Sequence, residues 1–168
     1  MKNKIDFSEI NRSLIETFEE VKKVVQKNEG RSRAGLMLGL QEIGASLEGF
    51  IGAYYPVASN IIIVNKTPLR RILETNRELL KPYTFHILLH EYIHALGYLD
   101  EKTTGQKTYD ISKKQFGEYH IITQLSTNIR KFFPNLVYPI NGWFPTKEIP
   151  PIELVPGFDF SNTHPYIT

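Results

Sequence analysis

The chain has 168 residues, a formal net charge of +2 and no cysteine. That length suits one domain with its own hydrophobic core, the small charge argues against nucleic-acid binding, and the missing cysteines exclude disulfides and thiolate metal sites. The opening residues Met1-Lys2-Asn3-Lys4-Ile5-Asp6 lack the apolar run of a signal peptide, and no window reaches transmembrane length. A cytoplasmic protein with neither membrane nor nucleic-acid partner is the expectation.

In chain order, the first element is an amphipathic helix within residues 1–30. Phe7, Ile10, Leu14, Phe18, Val21 and Val25 recur at three- and four-residue steps. Asp6 or Ser8 suits its N-cap, and Asn28-Glu29-Gly30 its end. It spans barely three heptads, so packing on the domain's own sheet is favoured over a coiled coil. Residues 33–43 fit a helix or a strand equally. Two strands are then expected, Gly49 to Tyr55 and Asn60 to Asn65, joined by a turn at Pro56 to Ser59. The second is rich in β-branched residues, as a buried strand is. A helix starts at Thr67-Pro68 and runs to about Leu80.

The next segment carries the chemistry: His90-Glu91-Tyr92-Ile93-His94-Ala95-Leu96-Gly97-Tyr98-Leu99-Asp100. Two histidines four apart on a helix lie one turn above the other, so both rings can face one metal ion. With 5 histidines in 168 residues, chance His-Glu-x-x-His is expected in roughly one such chain in a hundred. The spaced glycine and acid make coincidence rarer still. Thr84 to Leu96 is strongly apolar, so a mostly buried helix must supply partners for His, Glu and His. Gly97 can take positive φ and end the helix, letting the chain double back with Asp100. His86 shares the histidine face, but lies about 12 Å along the axis from His94, and is left out of the metal set.

His90 to Asp100 resembles the extended zinc motif of metzincin-type metallopeptidases, in the variant with Asp in third place. It is also similar to small minimal zincins of bacteria and archaea. The resemblance implies an α+β zincin-like fold: a small twisted mixed sheet packed on the active-site helix and a long C-terminal helix. It also implies Zn2+ held by His90, His94 and Asp100, with Glu91 as general base in the hydrolysis of peptide or protein substrates. His120 is the alternative third ligand, and Glu118 a further one. The methionine turn of metzincins has no counterpart here, since Met1 and Met37 both precede the motif. Zincins run an antiparallel edge strand above the cleft, for which Gly49 to Tyr55 is the candidate.

Downstream, a polar loop from Asp100 to Gly105 is expected, then a helix from about Tyr109 to Phe133 with a break at Gly117. Tyr98, Tyr109, Tyr119 and Tyr138 are the candidates for steadying a developing oxyanion. From Pro134 the chain becomes a proline- and aromatic-rich tail including Trp143. It is expected to pack on the surface of a catalytic core spanning residues 31–133. A sharper option lays it across the cleft, with Asp159 or His164 near the metal. The alternative to an enzyme is a catalytically silent or latent zinc-binding interaction module. An intact Glu91 favours the enzyme, because a purely structural zinc site has no use for a base.

Overall fold

The computed structural model describes residues 6–46, 49–133 and 149–162. Within these residues the architecture is α+β. Helix α1 spans Phe7–Glu29, strand β1 Met37–Gln41, β2 Ala53–Tyr54 and β3 Ile61–Asn65. Helices α2 (Lys66–Thr75), α3 (Leu80–Ala95), α4 (Glu101–Phe116) and α5 (Ile121–Thr127) follow, and strand β4 (Glu153–Leu154) comes last. No helix among the described residues is long and apolar enough to cross a membrane.

The sheet order is β2-β3-β1-β4. Strands β1 and β3 are parallel, while β2 and β4 pair antiparallel at the two edges. The ambiguous 33–43 stretch therefore resolves as a strand, whose Leu38 and Leu40 are buried. The Gly49–Tyr55 strand shrinks to two residues. Asn65 is the reason: completely buried, its amide donates to the carbonyls of Gly44 and Ile51, while its oxygen accepts from the backbone N–H of Ile43 and Thr67. All four hydrogen bonds that an asparagine side chain can make are thus used. The bond to Ile51 takes that carbonyl away from the β2 ladder, and the separate bond from the Thr67 N–H caps α2.

Asp6 caps α1, accepting from the Ser8 N–H, and Gly30 closes it at φ 65° in the left-handed region. The buried stripe of α1 packs chiefly on α3 rather than on the sheet, because the apolar α3 lies against it. Phe18 meets Tyr92 edge-on, with ring centroids 5.3 Å apart. The helix expected from Thr67 to Leu80 stops at Thr75, because Asn76 leaves helical geometry (φ −156°, ψ 84°) before a short 3-10 turn leads into α3. The expected polar loop at Asp100 to Gly105 is instead the first turn of α4, eight residues earlier than the periodicity suggested. Asp100 accepts from the Thr103 N–H at 2.8 Å and starts the helix. Gly117 (φ 95°) then divides α4 from α5.

Pro134, Pro139, Pro145, Trp143, Tyr138 and His164 lie outside the described residues. The part of the tail that is described does more than cover the surface. Strand β4 extends the sheet, and Val155 and Phe158 enter the core, where Phe158 stacks on Phe18 at 4.2 Å. Asp159 is completely buried. Its carboxylate accepts from Lys22, the Gly35 and Leu36 N–H groups and the Asn162 amide. Those bonds commit Asp159 to the back of α1, so it is no partner for the histidines. Removing one member of a buried, hydrogen-bonded charge pair typically costs about 3–5 kcal/mol. Asp159→Ala is therefore expected to lower unfolding free energy by about 3 kcal/mol in urea titrations. A loss below about 1 kcal/mol, the range of exposed pairs, would contradict this assignment.

Candidate metal centre

Helix α3 is apolar all round: Leu80, Phe85, Ile87, Leu88, Leu89, Tyr92, Ile93 and Ala95 are all buried. Such a helix belongs inside a protein, and here it lies between α1, the sheet and helices α4 and α5. His90, Glu91 and His94 sit on the part of its surface that opens into a cleft of about 660 Å³. Across the cleft runs residues 50–57, including edge strand β2. This wall lies close to α3. A Cβ on Gly52 would come within 2.8 Å of the Tyr83 hydroxyl, so glycine is required there for more than sheet twist.

His90, His94 and Glu101 form a group able to hold a metal ion, with one ligand atom from each lying within 4.8 Å of the others. The Nε2 of His94 is 2.7 Å from Glu101 Oε1, and the Nε2 of His90 is 3.1 Å from Oε2. The carboxylate is thus one residue beyond the expected Asp100. Asp100 is exposed, and its Oδ2 accepts from both the N–H and the hydroxyl of Thr103. Those bonds occupy it as a helix cap. His120 is likewise a cap: its Nδ1 accepts from the Ile122 N–H at the start of α5, and its ring stacks on Phe116. Glu118 is exposed beside it. None of the three joins the group. The sequence did hold a clue to Glu101. In Asp100-Glu101-Lys102-Thr103 the aspartate directly follows a glycine-terminated helix, so it suits an N-cap whose carboxylate is spent on the backbone. The glutamate after it keeps its oxygens free.

The donor chemistry suits a cation. His94 Nδ1 is 2.7 Å from the Tyr98 carbonyl, an atom that only accepts, so this nitrogen carries the proton. The neutral ring then presents the lone pair of Nε2 to a carboxylate oxygen. Two acceptors face each other stably only with a positive charge between them, either a proton on the ring or a metal ion. Nitrogen and carboxylate oxygen are the ligand types that zinc accepts without cysteine. Burial lowers the pKa of His90, which the nearby Glu101 only partly offsets. Partial burial opposes the charge on Glu101, but His90 and His94 together outweigh it and hold that carboxyl below the usual glutamate range.

Glu91 also lines the cleft and is mostly buried, and burial pushes its carboxyl up to about 7. His86, one turn further up α3, lines the same cleft. Burial, with His90 beside it, pushes its pKa down to about 3. Tyr98, Tyr109 and Tyr119 do not line the cleft, whereas Tyr54 and Tyr55 do. Their hydroxyls donate to Gln41 and to the Ser59 carbonyl. Arg31 and Arg33 bind the carbonyls of Leu96 and Ala95 at the end of α3, and Arg70 binds Glu42. These arginines are therefore internal braces.

No protein-family model, curated protein or solved structure matches the chain. The functional reading accordingly stands on the site's own geometry.

His86 makes one property of the centre measurable in metal-free protein. Above its ordinary pKa of 6.5 the ring is neutral in both folded and unfolded chains. Between there and about 3, the unfolded chain takes up a proton that the folded chain refuses. Stability therefore falls as pH drops through this window. Urea titrations at stepwise pH in chelator are expected to show that slope, and His86→Gln to flatten it. An unchanged slope in the variant would remove His86 as its source.

Proposed function

We propose that the chain is a zinc-dependent metallopeptidase of zincin type, with His90, His94 and Glu101 holding the metal and Glu91 as general base. The observation that carries this reading is the convergence of His90, His94 and Glu101 at a cleft that Glu91 also lines. Zinc bound there would supply Lewis acidity, polarising a carbonyl and lowering the pKa of water from ~15.7 to ~7. The protein's own part is proton handling and placement. Glu91, with its carboxyl near neutrality through burial, is matched to taking a proton from the attacking water and passing it to the leaving nitrogen.

A peptide is the substrate that the cleft suits best. Strand β2 lies at the end of the sheet order and lines the cleft, so an extended backbone can pair along it. Ile51, Val57 and Leu99, each more than half exposed, give the cleft an apolar rim. The mixed sheet packed against the histidine helix is the arrangement that the zincin resemblance implies, and it supports the same reading.

Elemental analysis of purified variants tests the ligand set. About one zinc per chain is expected in the wild type, lost in His90→Ala, His94→Ala and Glu101→Ala and kept in Asp100→Ala and His120→Ala. Glu91→Gln is expected to keep the metal while peptide hydrolysis falls by about 10²–10⁴-fold. Zinc retained without hydrolysis in the wild type would favour the silent interaction module. Failure to take up zinc from excess metal at neutral pH would end the metallopeptidase reading.

A further inference from the structure

The turn from α3 to α4 runs from Leu96 to Asp100. Gly97 has no side chain and takes φ 111°, while Leu99 and Asp100 are exposed. Beyond Leu96, the partly buried ring of Tyr98 is the side chain that fastens this turn to the core. Two cations lie against that ring: the Arg31 guanidinium, 5.2 Å from its centroid, and the Lys107 ammonium, at 4.5 Å. Arg31 immediately follows Gly30, the C-cap of α1, and also donates to the Leu96 carbonyl at 2.6 Å. Lys107 belongs to α4 and pairs with Glu29, the last residue of α1, at 3.3 Å. The Tyr98 carbonyl accepts at 2.7 Å from His94 Nδ1 and at 2.8 Å from the hydroxyl of Thr104, itself completely buried. Both lone pairs of that carbonyl are thereby used.

We propose that Arg31 and Lys107, acting through the ring of Tyr98, are positioning residues that hold His94 in its metal-binding tautomer. This rests on the metal-binding part of the reading above. A ring nitrogen must be unprotonated to bind a metal, and the partner of the other nitrogen decides which one that is. The Tyr98 carbonyl at 2.7 Å favours the proton on Nδ1 and so leaves Nε2 for a metal beside Glu101. If the turn drifts, Nδ1 loses its near acceptor and keeps only the Thr104 hydroxyl, at 3.3 Å. The proton then gains by moving to Nε2, where the Glu101 carboxylate accepts it. The metal loses a ligand and the carboxylate at one stroke.

Two readouts test this. Imidazole ¹⁵N shifts, read in metal-free protein at a pH where the ring is neutral, report the His94 tautomer, and competition with a chromophoric chelator reports zinc affinity. The double variant Arg31→Gln/Lys107→Gln, and Tyr98→Leu, are expected to shift His94 towards the Nε2–H form. They should also bind zinc about 10–100-fold more weakly, the usual cost of losing a partner that orients a ligand. Tyr98→Phe, which keeps the ring and the carbonyl, and Arg31→Lys, which keeps the cation, should stay close to wild type. A folded double variant with wild-type tautomer and wild-type affinity would overturn the proposal. If the wild type itself takes up no zinc, the metal reading fails, and the tautomer shift alone decides whether these residues position His94.

Discussion

Placing histidine, glutamate and histidine on a helix that is otherwise apolar all round is the constraint from which the site follows. Each polar group on such a helix must find a partner or face an opening, because an unsatisfied buried polar group costs on the order of 1–3 kcal/mol. His94 finds the Tyr98 carbonyl and Glu101, and His90 finds the other oxygen of Glu101. Glu91 has no hydrogen bond among the forces that act on it, only burial and the charges of His94 and Glu101. A carboxyl in that setting is held at a raised pKa and kept ready to exchange a proton. Groups perturbed in this way cluster at functional sites, which is one support for the proposed role of Glu91 as base.

The two walls of the cleft are built by different means. The α3 wall is packed on all sides by helices and sheet, so its side chains are fixed by close packing. The opposite wall, residues 50–57, contributes only two residues to the sheet ladder. It is fastened instead by point contacts: Ile51 to the Asn65 amide, Gly52 to the Asn65 N–H, and Tyr55 to Ser59 and Arg33. A wall held by few hydrogen bonds opens locally at lower free energy than a packed helix does. On the proposed function, substrate would enter by adjustment of the β2 side while the histidine side stays in place.

How far the sequence could be read depended on whether local pattern or long-range contact decided each feature. The amphipathic α1, the turn at Pro56 to Ser59 and the apolar α3 were legible because periodicity and turn residues are local signals. His90, Glu91 and His94 share a face by helix geometry alone, so their proximity was legible too. The third acidic partner was not. Counting residues from His94 favoured Asp100, but one hydrogen bond from the Thr103 backbone, worth making because α4 needs a cap, turns that carboxylate away and leaves Glu101 beside the histidines. The start of α4 was missed for the same reason, since a polar first turn looks like a loop until its cap is recognised. Asp159 was legible only as an acid. Its partner Lys22 lies 137 residues away, and nothing local announces such a pairing.

That distant pairing bears on the site through Tyr92. Residues 90 and 94 are each two positions from residue 92, about 200° around a helix of 3.6 residues per turn, so Tyr92 points away from the two ligands. Its ring is completely buried against Phe18, its hydroxyl accepts from the Arg33 N–H at 2.9 Å, and Phe158 stacks on the same Phe18. Lys22 and Asp159 clamp Phe158's own segment to α1. The packing around α3 resists rotation of the helix about its axis, and the contacts of Tyr92 add to it on the side away from the cleft. The clamp reaches Tyr92 through Phe158 and Phe18 and so helps to fix the direction in which His90 and His94 face. Segments near the two ends of the described chain, remote from the motif in sequence, thereby contribute to the angular placement of the two histidines proposed to hold the metal, while the short turn through Tyr98 presents its carbonyl to one of them.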